Sequence, residues 1–248
     1  MNNSKTSLHA RTKASRGTLK QQIEELLIEN LKLKTENKKL RDENSPNNFS
    51  TTYLEGARKV IDQLSREEIQ ATIEHIVRIK KQEGRLFLLG VGGSAANCSH
   101  AVNDFRKIAH IEAYTVIDNV SELTARINDD GWDTAFVEWL RGSKLTKKDA
   151  VMVLSVGGGN LEKNISANIV RALEYAKEVG AMVLGIISRD GGYTRKVADA
   201  SILVPVISDD TITPFAESFQ GLLWHLMVNH PSLKEIPQPP LIKGARGI

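Results

Sequence analysis

The sequence predicts an α/β fold: a doubly wound, five-stranded parallel sheet with helices on both faces, preceded by helices and an N-terminal coiled coil. Three observations predict it. Five apolar runs, "RLFLLG" (85–90), "AYTVID" (113–118), "AVMVLS" (150–155), "MVLGIIS" (182–188) and "ASILVPV" (200–206), are continuous rather than alternating, as strands buried on both faces are. They are separated by helical stretches, and parallel strands joined by helices require right-handed crossovers. Three of the runs end in glycine with small polar residues, the composition of ligand loops at the carboxyl edge of such a sheet.

The elements follow in order. Residues 1–17 read as a disordered basic tail: Lys5, Arg11, Lys13, Arg16 and Lys20 stand among the first 20 residues with no acid. Removing these five from the formal charge of +3 leaves the remainder at −2, so the basic balance belongs to the tail and not to the body. Residues 18–44 place Leu19, Leu26, Leu33 and Leu40 seven apart, with Ile23, Asn30, Asn37 and Asn44 four residues after each leucine. Leucine at d with asparagine at a predicts a parallel two-stranded coiled coil, since each buried amide meets its mate only in that register. Glu29 with Lys34 and Glu36 with Arg41 supply opposite charges across the flanks. Leu27 and Leu31 lie outside the seam and leave open a single amphipathic helix packed on the body. A DNA-binding basic zipper is not expected, because the basic residues are sparse and Gly17 interrupts the helix.

"SPNNFS" (45–50) is a breaker cluster and reads as the linker to a domain over 51–231, with 232–248 as a C-terminal tail. Two helices follow, 51–64 and 66–84, the second stopped by Gly84. Cys98 is the only cysteine, so a disulfide framework is excluded, and neither an 18-residue apolar run nor a signal-peptide core is present. The expectation is a cytoplasmic protein without membrane or nucleic-acid partners.

The strand ends carry the chemistry. They read Gly90-Val91-Gly92-Gly93-Ser94, Ser155-Val156-Gly157-Gly158-Gly159-Asn160 and Ser188-Arg189-Asp190-Gly191-Gly192. Glycine permits close backbone approach, and a helix N-terminus offers free N–H groups to an anion. The pattern predicts a phosphate or polyhydroxy ligand. No nucleotide cofactor is expected, because "GVGGSA" lacks the third glycine of the dinucleotide fingerprint and Asp118 is the only acid ending the second run.

At these motifs the chain resembles a known family. "GVGGSAANCSHAVNDF", "NDDGWDTAF" (128–136), "LSVGGGNLEKNI", "SRDGG" and "TPFAESFQGLLWH" make residues 50–231 similar to a sugar isomerase (SIS) domain of the phosphoheptose isomerase type. The zipper is not part of that family's usual plan. The resemblance implies a homotetramer that interconverts sedoheptulose 7-phosphate and D-glycero-D-manno-heptose 7-phosphate, with active sites near subunit interfaces and often zinc. It carries the family's helix histidine and catalytic glutamate onto His100 and Asp104. Its glutamine and catalytic histidine, eight residues apart, fall on Glu217 and His225, chosen by interval over Trp224.

So aligned, His100, Asp104, Glu217 and His225 are the expected ligands of zinc or another divalent ion, a suitable nitrogen and oxygen set. His100 and Asp104 share a helix face, whereas eight residues rise about 12 Å, so Glu217 and His225 meet one ion only by leaning together or with another subunit's groups. Ketose–aldose interconversion moves a proton between C1 and C2 through an enediolate, which needs a base and a stabilised oxyanion. Asp104 is the base by resemblance and His225 the acid. Aspartate is roughly 1.5 Å shorter than glutamate, a misplacement that is costly in rate. The working carboxylate is therefore expected to have shifted in part to Glu217. Phosphate is expected on Gly92, Gly93, Ser94, Ser155, Gly157, Gly158, Gly159 and Asn160, with Lys163 at the start of the next helix. Asn128 and Asp129 are candidates for sugar hydroxyls, or else a helix-ending turn. His9, His75, His110 and His230 are read as structural or surface residues. The competing reading is a non-catalytic SIS domain that binds a phosphosugar or a protein and reports through the zipper; a lyase or transferase on another phosphosugar also remains open.

Overall fold

The computed structural model describes residue 21 and residues 24–38, 45, 46 and 48–234. The chain forms two compact units, Met1–Arg58 and Lys59–Ile248. In the first, 24–38 is helical (α1), with the seam residues Leu26 and Leu33 at 60% and 51% exposure and Leu27, Ile28 and Leu31 equally open. Leu19, Ile23, Leu40 and Asn44 of the predicted seam lie outside the described residues, as do the basic tail and 235–248.

The predicted linker is shorter than expected, because α2 (Phe49–Gln63) begins within it. Then comes α3 (Arg66–Lys81), whose start is fixed by Ser65: its hydroxyl accepts the Glu68 N–H at 3.1 Å, satisfying one of the helix's orphan donors. Glu67 and Glu68 in its first turn and Arg78, Lys80 and Lys81 in its last complement the helix dipole. Ile69, Ile73, Ile76 and Ile79 make its buried stripe.

The body continues β1 (Leu86–Leu89), α4 (Gly93–Lys107), β2 (Ala113–Thr115), α5 (Val120–Asp130), α6 (Ala135–Gly142), β3 (Ala150–Leu154), α7 (Ala167–Val179), β4 (Met182–Ser188), α8 (Gly192–Val197), β5 (Ala200–Val204), α9 (Ile212–Val228) and α10 (Pro231–Lys234). All five predicted strands are present, and the sheet is wholly parallel in the order β2-β1-β3-β4-β5. One face packs Phe87, Leu89, Val151, Val153 and Val183 against Phe136, Trp139 and Leu140 of α6 and Ile169 and Leu173 of α7. The other face takes α3, α4 and α9, with α4 lying along α9. Among the described residues no helix is long and apolar enough to cross a membrane.

The amino edge of the sheet is tied by an ion pair. Asp149, 2% exposed, accepts the Arg85 backbone N–H at 2.9 Å, its Nε at 3.2 Å and Nη2 at 2.8 Å, and the Thr146 N–H and hydroxyl at 2.8 and 3.0 Å. Burial pushes its carboxyl upward, but these five donors outweigh that and hold it below the usual carboxylate range. Arg85 completes its fork on the Ser143 and Lys144 carbonyls.

Candidate functional site

The strand order reverses between β1 and β3, and in an open parallel sheet that point opens a crevice beyond the carboxyl ends. A cavity of about 770 Å³ lies there, walled by the loops after β1, β3 and β4 and by the start of α9. Of the predicted phosphate residues, Ser94, Ser155, Gly157, Gly159 and Asn160 line it, and so does Glu217.

Gly92 and Gly158 shape the cavity and do not line it. Gly92 takes φ +64° as the residue before α4. Gly158 takes φ +68°, and a β-carbon there would strike the Gly191 carbonyl oxygen, so the two glycine loops lie backbone to backbone. The Gly158 carbonyl accepts the Thr194 N–H at 2.9 Å and its hydroxyl at 2.7 Å, and the Gly159 carbonyl accepts the Tyr193 N–H at 2.8 Å. The Ser155 hydroxyl braces the same loop by accepting the Gly158 N–H at 3.0 Å.

Lys163 does not start the next helix. Residues 160–165 form a small turn in which Asn160 and Ile165 exchange backbone bonds at 2.8 and 2.9 Å, and Asn160 Oδ1 accepts the Lys163 N–H at 2.9 Å. Helix α7 begins only at Ala167. The turn brings Lys163 to the cavity from its tip, and it brings Ser166, the residue before α7, to the same wall. Ser166 and Thr213 were not anticipated, and Arg189 was anticipated only as part of the third strand-end loop, without a role of its own. A serine directly before the helical pattern "ANIVRAL" was the available signal. Asn128 and Asp129 are not brought there: they sit exposed near the end of α5, bonded to each other at 2.8 Å.

A second cluster forms where α4 meets α9. Asp104 is 6% exposed. Its Oδ2 lies 3.5 Å from His100 Nε2 and 3.3 Å from His225 Nε2 and accepts the Trp224 indole N–H at 3.1 Å. Its Oδ1 accepts the Asn103 amide at 3.0 Å. The His225 Nδ1 donates to the Gly221 carbonyl at 2.7 Å; a carbonyl only accepts, so this bond assigns the Nδ1 proton. Neutral His225 therefore turns an Nε2 lone pair toward a carboxylate oxygen. Two acceptors rest at that separation when a proton or a cation lies between them. One ligand atom each from His100, Asp104 and His225 fits within 4.8 Å, a donor set suited to zinc or a similar divalent ion.

Glu217 is not in that cluster. It lies two turns earlier on α9 and lays its carboxylate over the α-carbon of Gly93, where a β-carbon would collide with it. Ser94 Oγ is 3.4 Å from its Oε1. Asn97 donates to the Glu217 carbonyl at 2.9 Å and to Gln220 Oε1 at 2.8 Å, while Gln220 donates to Ser94 Oγ at 3.1 Å. This network fixes the two helices and leaves the Glu217 carboxylate on the cavity wall, which Asp190 also lines. Cys98, one turn along α4, is buried, and burial pushes its thiol up.

Residues 52–188, more than half of the chain, match the SIS domain family. The chain is 29% identical over 185 residues to a phosphoheptose isomerase of Syntrophotalea carbinolica, covering 71% of this chain and 88% of that protein. It is 31% identical over 174 residues to a phosphoheptose isomerase of a Nitratiruptor species, covering 68% and 87%. Among solved structures, phosphoheptose isomerase GmhA from Neisseria gonorrhoeae superposes with a TM-score of 0.62 at 24% identity, covering 73% of this chain and 94% of that one. The chain belongs to the SIS domain family, and its relatives include phosphoheptose isomerases.

Proposed function

We propose that the protein is a sugar-phosphate isomerase, with sedoheptulose 7-phosphate and D-glycero-D-manno-heptose 7-phosphate as its substrate pair. The observation that carries this reading is the placement of Glu217 on the wall of a hydroxyl- and cation-lined cavity, with His100, Asp104 and His225 gathered farther along the same two helices.

The phosphate belongs among Ser94, Ser155, Ser166, Lys163, Arg189 and the glycine-loop amides. Ser166 supplies a hydroxyl that the glycine-rich run after β3 lacks. The sugar then extends toward the helices α4 and α9. From Ser94 to His100, six residues rise about 9 Å along α4, and Glu217 to His225 spans about 12 Å. An open-chain sugar phosphate bridges such a reach and a small anion does not.

Base and acid follow from what each group already holds. Both Asp104 oxygens accept bonds from Trp224 and Asn103, whereas Glu217 has only the long Ser94 contact. Glu217 is the better placed base for the carbon-bound proton at C1 or C2. His225, protonated at Nε2 against Asp104, is the acid toward the developing oxyanion. Zinc or another divalent ion held by His100, Asp104 and His225 would take the place of that Nε2 proton, and His225 would then be a ligand while the ion supplied Lewis-acid stabilisation of the oxyanion. A homotetramer in the cytoplasm, with subunits paired by parallel zippers through Leu26, Asn30 and Leu33, completes the reading.

The test is incubation with sedoheptulose 7-phosphate in D2O, followed by NMR. Turnover with deuterium entering at C1 or C2 is expected, falling about 10²- to 10⁴-fold in Glu217→Gln. Full activity in that variant would remove Glu217 as the base; ligand-induced shifts without turnover or exchange would make the protein a phosphosugar-binding regulator.

A further inference from the structure

We infer that Trp224 is a positioning residue for Asp104: its indole N–H holds the carboxylate so that Oδ2 faces the Nε2 atoms of both His100 and His225, making a three-donor cation cradle. The inference rests on the cation reading of the site given above.

Trp224 is 2% exposed, and its Nε1 reaches Asp104 Oδ2 at 3.1 Å. An indole N–H donates and never accepts, so it can only bond a carboxylate lone pair. The ring also packs edge-on to His100, with centroids 5.3 Å apart, and tilted against His225 at 5.0 Å. His100 and His225 stand edge to face at 5.2 Å. One side chain thus touches all three donors.

The need for it lies in the aspartate. A short carboxylate on α4 reaches a point between two imidazoles only in a narrow range of orientations. Asn103 secures Oδ1 and Trp224 secures Oδ2, which fixes the rotation of the carboxylate. His225 is aimed in the same way by the Gly221 carbonyl. Such partners of the ligands set the affinity of a metal centre, and losing one costs about 10- to 100-fold. Glu217 remains on the cavity wall, so the cradle has three protein donors and leaves coordination positions open.

The test is zinc affinity of the full-length, metal-stripped protein by equilibrium dialysis, comparing wild type with Trp224→Phe, which keeps the aromatic packing and loses the donor. Circular dichroism checks the fold. The expected result is about 10- to 100-fold weaker binding in Trp224→Phe. Equal affinity would overturn the role of Trp224, while a wild type that binds no zinc, and is indistinguishable from His100→Ala, would overturn the cradle itself. Should Trp224→Phe not fold, the wild type suffices: the ¹⁵N-indole resonance of Trp224 is expected to shift on adding zinc while those of Trp132 and Trp139 stay, and an unmoved Trp224 signal would sink the inference.

Discussion

Asp149 and Asp104 are both buried aspartates at the margins of one sheet, yet they are partnered in opposite ways. At the amino edge, every contact of Asp149 is a donor: three N–H groups of Arg85 and two groups of Thr146. At the site, Asp104 has two donors, Trp224 and Asn103, and two imidazole nitrogens that face it without a fixed proton. A saturated carboxylate holds structure together. One whose free side is turned to two imidazole nitrogens holds those rings in place and leaves a gap of donor atoms between them.

This contrast can be broken by exchanging each aspartate for asparagine. Asp104→Asn is expected to lower turnover by about 10³-fold at a cost of only about 1 kcal/mol in stability, since the amide keeps the volume and leaves one of the two donors, Trp224 or Asn103, without an acceptor. A large loss of stability with activity intact would reverse the assignment. Asp149→Asn should do the opposite, costing about 2–3 kcal/mol because the partly exposed Arg85 loses its counter-charge. Turnover per folded molecule should be unchanged, and urea unfolding beside single-turnover rates separates the two quantities.

The pH dependence sharpens it. The Asp149 carboxyl lies below its ordinary range in the folded state, so its contribution is complete above about pH 4 and is lost as pH falls through the folded-state value. Acid unfolding of the wild type between roughly pH 4 and 2 should be steeper than that of Asp149→Asn; parallel curves would remove Asp149 as a source of acid lability. The smallest effect is expected at the cavity. Ser166→Ala should raise KM for the phosphosugar about tenfold, the worth of one hydrogen bond to a charged phosphate, about 1.5 kcal/mol, with kcat unaltered. An unchanged KM would place the phosphate elsewhere on the wall.

The same contrast explains how much was legible in the sequence. The five strands read directly, because burial on both faces writes unbroken apolar runs, and the glycine turns mark the ligand edge by their composition. His100 and Asp104 come from the family resemblance, and their interval of four places both on one helix face. Glu217 was legible as a site residue but not as to which part of the site, since a spacing of eight gives a distance along α9 and not the direction of the carboxylate. Ser166 was hidden by the 160–165 turn, whose "LEK" reads as the start of a helix while Asn160 closes it into a loop. Trp224 was legible only as a neighbour of His225; its bond to Asp104 crosses from α9 to α4 and has no sequence signature. Asp149 needed the fold as well, because its partner Arg85 stands 64 residues away.

Cys98 has a practical consequence. It is the sole thiol in 248 residues, fully enclosed on the helix that carries His100 and Asp104. Its alkylation under native conditions requires that helix to open, so the labelling rate is a clock for site breathing, readable by mass without altering the chain. Substrate or zinc that tightens the site should slow the clock.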